Sequence, residues 1–365
     1  MGFFKGFIEE LIQQGHTVDI ASCESDKSKL PACYREWGCV VYQISTSRSP
    51  VNKGNLRAIK QIGKIVQKNN YDIVHCHTPI AAFCTRLACR TLRKKGLKVI
   101  YTAHGFHFYK GAPLKNWMIY YPLEKYCSKF TDLLITINQE DYMFAQKKMK
   151  ADCIAYVPGV GIDLQKFSVS SVSADEKRAE LGIPDGAFLM LSVGELNRNK
   201  NHEVVLRAMS LLSDPNIHYA IAGAGDLREY LLSLSEELGI RDHVHLLGYR
   251  KDVAELYRAA DVFVFPSFRE GLSVSLMEAM ASGLPCIVSD IRGNRDLIVS
   301  ERCPPGNATA FAGNIRRIKE DGKLRSHMQS IVTETIKSFE ISAINEEIHR
   351  LYQQMLDRAK KTDKL

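Results

Sequence analysis

The chain has 365 residues, of which 45% are hydrophobic and 25% charged. That length suffices for two domains of ordinary size, and the composition is typical of a soluble globular protein. No apolar run approaches the ~18 residues of a membrane-spanning helix, and the ten cysteines lack CxxC spacing. These features argue against a membrane-spanning protein and a disulfide framework, and they predict reduced thiols in a cytoplasmic protein.

The formal net charge of +8 is unevenly distributed. Residues 1–165 carry 23 Lys and Arg against 13 Asp and Glu, so the positive excess lies in the N-terminal half. Such a half could face nucleic acid, anionic lipid, a phosphorylated substrate or only solvent. No recognised nucleic-acid-binding module occurs in the sequence, so we expect no nucleic-acid partner.

The N-terminal half alternates short β-branched runs with segments of helical periodicity. This alternation predicts parallel strands with helical crossovers, and hence a doubly wound sheet. An amphipathic helix predicted over 3–13 precedes the first visible strand, so the strand that normally opens such a domain is missing, or the reading frame begins too late. The predicted strands are 18–21, 73–75, 99–102 and 133–137, and the predicted helices are 55–68, 80–94, 114–129 and 139–150.

The same pattern restarts after a polar, Ser-rich stretch over 168–178. A final helical segment, 341–361, has no strand after it and could pack back onto the first domain. We therefore predict an N-terminal domain over 1–165, a second α/β domain over 166–340 and a crossover helix in 341–365. The strands predicted in the second domain are 189–193, 219–222, 244–247, 262–265 and 286–288.

Two glutamates flank a predicted helix start that follows an apolar strand. Glu270 precedes a helix expected to begin near Leu272, and Glu278 lies about two turns inside it. The backbone N–H groups of Gly271, Leu272 and Ser273 would be unpaired there and could bind diphosphate oxygens. Both carboxylates could accept hydrogen bonds from sugar and ribose hydroxyls. Alternatively, Glu270 is a helix-start residue favoured by the dipole and Glu278 is a surface residue.

The motif that contains these glutamates resembles the signature of the family 4 (group 1) retaining glycosyltransferases of the GT-B fold. Seven residues separate the glutamates, Gly follows the first, and an Ala-x-Ala-x-Gly-x-Pro run follows the second. The segments 102–106, 157–163 and 192–202 resemble further family motifs in the expected order. The chain is most similar to bacterial capsular and exopolysaccharide transferases. The resemblance implies two Rossmann-like domains facing a cleft, with the C-terminal helix crossing back to the N-terminal domain.

The resemblance also implies roles for residues outside that motif. Lys200 would contact the donor diphosphate, with Arg198 as a weaker candidate near the loop that begins at Gly194. His104 would lie beside the sugar ring, so Glu270, His104 and Lys200 are the predicted catalytic residues. The position after Gly194 is Glu195, where many relatives have Arg. Alternatively, Lys200 is a solvated lysine at a helix start and His104 is a structural histidine.

Weaker signals mark the remaining predicted site residues. Gly223 and Gly225 follow a strand and would allow close approach of a nucleotide, although the third glycine of the dinucleotide fingerprint is absent. Tyr249 and Arg250 would flank the base, or they belong to an ordinary turn. His77 is a candidate acceptor-side residue, since adjacent Cys and His side chains in a strand alternate between faces and make a poor metal site.

These residues predict a retaining transfer that needs no metal and no cofactor. No DxD-type motif stands at a strand end, and the leaving phosphate would help to deprotonate the acceptor hydroxyl. From family habit we expect a UDP-sugar donor. We expect a glycan or polyprenyl-diphosphate-linked saccharide as the acceptor, in the synthesis of cell-surface polysaccharides.

The segment 106–121 combines aromatic residues with lysines in the basic half. Such a combination suits a membrane interface, and it predicts a cytoplasmic protein with peripheral contact to the inner face of the membrane. Alternatively, the aromatic residues pack into the core of the N-terminal domain.

Two rival functions are to be weighed against this one. A nicotinamide-dependent or epimerase-type enzyme would require a complete Gly-x-Gly-x-x-Gly motif, which we do not find. A truncated, inactive transferase that acts as a binding partner is suggested by the missing first strand. The region 296–309 also looks shortened and lacks the Gly-Gly strand that relatives place before their Pro-Gly-Asn/Asp turn.

Overall fold

The computed structural model describes residues 4–23, 30–47, 49, 52–168 and 172–362. The chain divides into two compact units, residues 1–160 with 344–365 and residues 161–343. Both units combine helices with parallel sheets. The predicted α/β class is therefore confirmed.

The first unit begins, within the described residues, with a helix and not with a strand. Phe3, the predicted first residue of that helix, lies outside the described residues. The strands of this unit are β1 (Ile20–Ser22), β2 (Val41–Gln43), β3 (Ile73–His77), β4 (Lys98–Ala103), β5 (Leu133–Thr136) and β6 (Cys153–Tyr156). The helices are α1 (Lys5–Gln13), α2 (Cys33–Glu36), α3 (Gly54–Asn69), α4 (Pro79–Cys89), α5 (Leu114–Ser128) and α6 (Gln139–Lys148).

The strands β3, β4, β5 and β6 form one parallel sheet in that order, and β1 pairs with β2 in a separate parallel pair. The sequence analysis missed β2 and β6. The helix predicted over 80–94 ends at Cys89 and is followed by a 3-10 turn, Leu92–Lys95. These differences leave the order of strands and helical crossovers unchanged.

The second unit repeats the alternation over six strands. The strands are β7 (Phe188–Val193), β8 (Ile217–Ala222), β9 (Val244–Gly248), β10 (Val262–Phe265), β11 (Cys286–Ser289) and β12 (Arg302–Cys303). The helices are α7 (Leu164–Ser168), α8 (Ala174–Glu180), α9 (His202–Leu212), α10 (Arg228–Glu237), α11 (Val253–Ala259), α12 (Val274–Ala281), α13 (Asn294–Leu297), α14 (Ala308–Glu320) and α15 (Gly322–Ile336).

The six strands pair in the order β12-β11-β10-β7-β8-β9, and all neighbours are parallel. The first strand, β7, therefore lies in the middle, between β8 and β10. The strand order reverses at β7, and open α/β sheets bind ligands at such a point, beyond the carboxyl ends of the strands. The region 296–309, where we expected no Gly-Gly strand, contains a short strand without glycines, since β12 pairs with β11 through only two residues.

The last helix, α16 (Ile341–Thr362), completes the core of the first unit. Its apolar residues Ile344, Ile348, Leu351 and Met355 pack in one buried cluster with residues of β4 and β5. At the boundary of the second unit, Gly161 has a φ of +77°, and a Cβ there would lie 2.6 Å from Cα of Ile341. The predicted packing of the C-terminal helix onto the N-terminal domain is observed.

Candidate functional site

Two loops meet at the carboxyl edge of the second sheet, one after β7 and one after β10. Asn199 accepts a hydrogen bond on its carbonyl oxygen from Phe268 N–H (2.8 Å) and donates from Nδ2 to the Arg269 carbonyl (2.9 Å). Asn201 Nδ2 donates to the Pro266 carbonyl (3.1 Å). Three hydrogen bonds thus join the loops at the point where the strand order reverses. The sequence analysis missed both asparagines. The only sequence signal for them is that asparagine occurs at every second position from 197 to 201.

Lys200 and Glu270 form an ion pair across these loops. Lys200 Nζ lies 2.9 Å from Glu270 Oε1, and the two side chains are 18% and 16% exposed. The ammonium group also lies 4.8 Å from the ring centroid of Phe265. The pair is mostly shielded from solvent, so salt screens it less than an exposed pair. Two of the three predicted catalytic residues are therefore in direct contact.

A run of backbone N–H groups follows Glu270. Within the described residues, the N–H groups from Gly271 to Ser275 have no hydrogen-bond acceptor. Helix α12 begins at Val274 and not near Leu272, because Ser273 is its N-cap and its hydroxyl accepts from Leu276 N–H. The predicted donors Gly271, Leu272 and Ser273 therefore lie just before the helix. This free run suits an anion, since a helix N-terminus favours negative charge.

The loop after β11 supports the Glu270–Gly271 segment from another side. Arg292 Nε donates to the Glu270 carbonyl (3.2 Å), and Arg292 itself is buried. Gly293 has a φ of +73°, and a Cβ on it would lie 2.1 Å from the Gly271 carbonyl oxygen. The sequence analysis missed both residues, whose contacts depend on the neighbouring positions of β10 and β11 in the sheet.

Glu278 lies on α12 and is half-buried. Tyr257 donates its hydroxyl proton to Glu278 Oε2 (3.0 Å), and burial raises the pKa of the Glu278 carboxyl. The alternative interpretation was that Glu278 is a surface residue. Its burial and its bond with Tyr257 argue against that interpretation. A half-buried acceptor on the site's helix remains compatible with a bond from a ligand hydroxyl.

The predicted glycines bring protein loops together. A Cβ on Gly223 would lie 1.8 Å from the Gly194 carbonyl oxygen, and one on Gly225 would lie 2.4 Å from the Leu196 carbonyl oxygen. A Cβ on Gly194 would approach Lys200 Cε to 3.1 Å. In this structure the glycines thus allow the loop after β8 to pack on the loop after β7. Their contact with a nucleotide stays a prediction.

The other predicted donor residues have different surroundings. Arg198 is exposed, and Tyr249 is 78% exposed. Arg250 forms ion pairs with Glu180 and Asp252, and it holds the pKa of the Asp252 carboxyl well below its usual range. The structure therefore brings Arg250 into an ion network with α8, and a role beside a base stays a prediction.

In the first unit, His77 and His104 meet at the ends of β3 and β4. His77 Nδ1 lies 3.1 Å from His104 Nε2, and the His75 and His77 rings are 4.3 Å apart. His75 Nδ1 lies 2.6 Å from the hydroxyl of Tyr352 on α16. Burial lowers the pKa of His75 to about 3 and of His104 to about 4, and it lowers the pKa of His77 as well. These imidazoles are therefore neutral at neutral pH. The sequence analysis named His77 and His104 but missed their contact.

Two features are absent from the described part of the chain. There, no group of three or more His, Cys, Asp or Glu side chains is arranged to hold a metal ion. Nor does any helix in that part combine the length and apolar character that crossing a bilayer requires.

Comparisons with known proteins define the class. The model of the group 1 glycosyl transferases matches residues 173–334, and that of the glycosyl transferase 4-like proteins matches residues 2–138. EpsD of Bacillus subtilis (strain 168), a protein named as a glycosyltransferase, is 36% identical over 353 residues, covering 94% of this chain and 91% of EpsD. The chain belongs to the group 1 glycosyltransferases.

One more relative and one solved structure extend this comparison. The chain is 29% identical over 314 residues to the UDP-Gal:alpha-D-GlcNAc-diphosphoundecaprenol alpha-1,3-galactosyltransferase of Escherichia coli, covering 83% of this chain and 80% of the relative. HepE of Anabaena, solved in complex with UDP, superimposes with a TM-score of 0.75 at 19% identity over 88% of each chain. The predicted GT-B fold is confirmed.

Proposed function

We propose that this glycosyltransferase moves a sugar from a UDP-sugar to a glycan or lipid-linked saccharide, with retention at the anomeric carbon, in the synthesis of cell-surface polysaccharides. The name of the Escherichia coli relative states a UDP-sugar donor and a diphosphoundecaprenol-linked acceptor, and HepE was solved with UDP. Both support the donor class, and the name of the relative also supports the acceptor class.

The observation that carries the proposal is the Lys200–Glu270 pair beside the free N–H groups of Gly271 to Ser275. An incoming diphosphate would share the Lys200 ammonium with Glu270 and accept bonds from the N–H groups. Such preorganised donors stabilise the charge that grows on a leaving group. Glu270 would then accept hydrogen bonds from the sugar, and Glu278 from the ribose.

In the proposed reaction, the acceptor oxygen attacks the anomeric carbon on the face from which the diphosphate departs. The bond between that carbon and the diphosphate oxygen breaks, and the new glycosidic bond forms. The acceptor proton passes to the leaving phosphate oxygen, so the products are the glycoside and UDP. The protein contributes positioning and electrostatic stabilisation, and neutral His104 would hydrogen-bond a sugar hydroxyl.

We also propose that neither a divalent cation nor a cofactor takes part. The ammonium of Lys200, which is shared with Glu270, and five consecutive N–H groups offer hydrogen-bond donors that can stabilise a diphosphate without a metal. The transfer rate should then be unchanged when EDTA is added.

The test is a donor panel with the purified full-length chain, which measures release of nucleoside diphosphate and transfer to a synthetic lipid-diphosphate saccharide. We expect turnover with a UDP-sugar and, by NMR of the product, the anomeric configuration of the donor. Glu270→Gln should reduce turnover strongly, whereas the exposed control Glu229→Gln should not. Wild-type turnover by Glu270→Gln, or an inverted product, would contradict the proposed site or mechanism. No turnover with any donor would favour the inactive binding partner.

A further inference from the structure

Tyr257 is a buried tyrosine whose hydroxyl is directed at the helix of the proposed donor site. It belongs to α11 and is 1% exposed. Its ring contacts Phe167 of α7 and Phe263 of β10 edge to face, with ring centroids 6.2 Å and 5.6 Å away. Because these contacts hold the ring in one position, the core of the second unit also fixes the direction of the hydroxyl.

The Tyr257 hydroxyl has two acceptors, and both belong to α12. It lies 3.0 Å from the Ser275 carbonyl oxygen and 3.0 Å from Glu278 Oε2. Burial raises the pKa of Tyr257 well above its usual range, so the hydroxyl keeps its proton and donates. A hydroxyl carries one proton, and a charged acceptor forms the stronger bond. The bond to Glu278 is therefore the stronger of the two.

This bond occupies one oxygen of the Glu278 carboxylate and leaves the other available. Within the described residues, no other group donates a hydrogen bond to this carboxylate. Lys166, an exposed cation on α7, acts on it without forming an ion pair. Burial raises the pKa of Glu278, whereas Tyr257 and Lys166 act in the opposite direction. The half-buried carboxylate thus depends on one protein donor, which a variant can remove.

The two acceptors lie in the segment that the proposed function assigns to the donor. Ser275 is the last residue of the free N–H run, and Glu278 lies three residues further along α12. Tyr257 itself is too deeply buried to contact a ligand. Any effect of its hydroxyl on the donor must therefore pass through Glu278 or through the start of the helix.

We propose that Tyr257 is a positioning residue for the donor ribose, which holds Oε2 of Glu278 so that Oε1 accepts a hydrogen bond from a ribose hydroxyl. The inference rests on the proposed function, which assigns Glu278 to the ribose. Without the Tyr257 hydroxyl the carboxylate can turn about its broad terminal torsion, and its bond to the ribose weakens. The reacting anomeric carbon is not touched, so the donor KM changes and kcat does not.

The experiment is isothermal titration calorimetry of the full-length chain with UDP and with 2′,3′-dideoxy-UDP, which lacks both ribose hydroxyls. Tyr257→Phe keeps the ring and removes only the hydroxyl. We expect it to weaken UDP binding roughly threefold to tenfold, as the loss of one hydrogen bond would, and to change dideoxy-UDP binding less than about twofold. In steady-state assays, the donor KM should rise by a similar factor at unchanged kcat.

The matched control is Tyr101→Phe in the first unit. Tyr101 is 2% exposed, and its hydroxyl donates to a buried carboxylate, Glu124 Oε1, at 3.4 Å. The control removes the same group from the same kind of environment, away from the donor site. It should leave both affinities within about twofold of the wild type, since distant sites act independently.

A second comparison tests whether Tyr257 acts through Glu278. Glu278→Gln should remove most of the preference for UDP over dideoxy-UDP. Tyr257→Phe/Glu278→Gln should then weaken UDP binding no further than Glu278→Gln alone, because the two residues act through one bond. Additive losses in the double variant would overturn the proposal.

Two further outcomes would overturn it. Equal weakening of UDP and dideoxy-UDP by Tyr257→Phe would assign the hydroxyl to general support of α12, and unchanged UDP binding would leave it without a role at the ribose. By contrast, no UDP binding by the wild type would contradict the proposed function itself, and this inference with it.

Thermal unfolding shows whether each variant folds. If Tyr257→Phe does not fold, Glu278→Asp replaces it, because the shorter side chain withdraws the carboxylate from the Tyr257 hydroxyl and keeps the charge. Glu278→Asp should lose the preference for UDP over dideoxy-UDP. A preference equal to that of the wild type would overturn the proposal.

Discussion

The Lys200–Glu270 site and the histidine cluster occupy the same kind of place in their two sheets and differ in their electrostatics. Lys200, Glu270 and the N–H run lie beyond the carboxyl ends of β7 and β10, and His77 and His104 lie beyond those of β3 and β4. The first group keeps formal charges beside unsatisfied dipoles. The second is buried and neutral. At the first site a charged ligand would meet formal charge, whereas the histidine cluster offers neutral hydrogen-bonding groups.

The largest effect should follow from removing the cation of the charged group. Lys200→Met should lower kcat/KM by roughly 10²–10³-fold, because a preorganised charge at the leaving group is lost. Lys200→Arg should retain part of the rate. Steady-state assays with the donor found by the panel provide the measurement, with Lys68→Met, on an exposed face of α3, as the control. A loss by His104→Gln as large as that by Lys200→Met would break the contrast between the two sites.

The next effect concerns the loop packing that holds Lys200 in place. Gly223→Ala puts a Cβ 1.8 Å from the Gly194 carbonyl oxygen, so the loops must separate. We expect a loss of about 1–3 kcal/mol in the free energy of unfolding and weaker donor binding. The control is Gly313→Ala on α14, where a Cβ meets no atom within 4 Å. Gly313→Ala should raise the free energy of unfolding by ~0.5–1 kcal/mol. Urea titration of both variants measures the difference between them. Equal stability of the variants would rule out the proposed packing.

The histidine cluster predicts a specific dependence of stability on pH. Burial lowers the pKa of His104 from 6.5 to about 4, so the unfolded chain binds its proton more readily than the folded chain. The contribution of the neutral His104 ring to the free energy of unfolding is complete above pH 6.5 and is lost as the pH falls toward 4. This loss is on the order of 2–3 kcal/mol for His104.

His104→Gln should therefore have a flatter profile of unfolding free energy between pH 6.5 and 4.5. Because burial also lowers the pKa of His202 to about 4 in the other unit, the measured quantity is the difference between variant and wild type. The exposed His16→Gln serves as the control. An unchanged slope in His104→Gln would show that the His104 ring binds its proton equally well in the folded and the unfolded chain. That result would weaken the contrast between the charged site and the neutral histidine cluster.

The smallest effect should come from the joint between the two loops. Asn199→Ala removes one hydrogen bond, from Nδ2 to the Arg269 carbonyl. A single bond of this kind contributes about 0.5–1.5 kcal/mol, so we expect a twofold to tenfold rise in the donor KM with little change in kcat. The control is Asn216→Ala in the turn before β8. A fall in kcat with unchanged KM would assign Asn199 a different role.

Much of the fold could be predicted because its cause is local. The β-branched runs of β4, β5 and β10 are buried and mark their strands within a residue or two. The strands β2, β6 and β12, of three, four and two residues, were missed because each contains at most one β-branched residue. The predicted start of α12 was two residues too early, because the sequence does not show whether the helix begins at Leu272 or is capped by Ser273.

The site could be predicted only as separate residues. Lys200 and Glu270 are 70 positions apart, and their contact follows from β7 and β10 being neighbours, which no local pattern specifies. The same holds for Gly293 against Gly271 and for His77 against His104. The helix α5 shows the same limit for burial. In the segment 106–121, where we predicted a membrane interface, Trp117 and Tyr121 pack on the core, whereas Leu114 and Met118 are exposed. Periodicity could not decide which face of α5 was inside, because both faces are apolar.

The position of α16 has a consequence for biosynthesis. The first unit receives Ile344, Ile348 and Leu351 for its core, and Tyr352 for His75, only after the whole second unit has been synthesised. Until then the nascent chain exposes the apolar side of β4 and β5 to solvent. Co-translational folding of this unit must therefore wait for the ribosome to release the last helix, and chaperones have an apolar patch to bind in the interval.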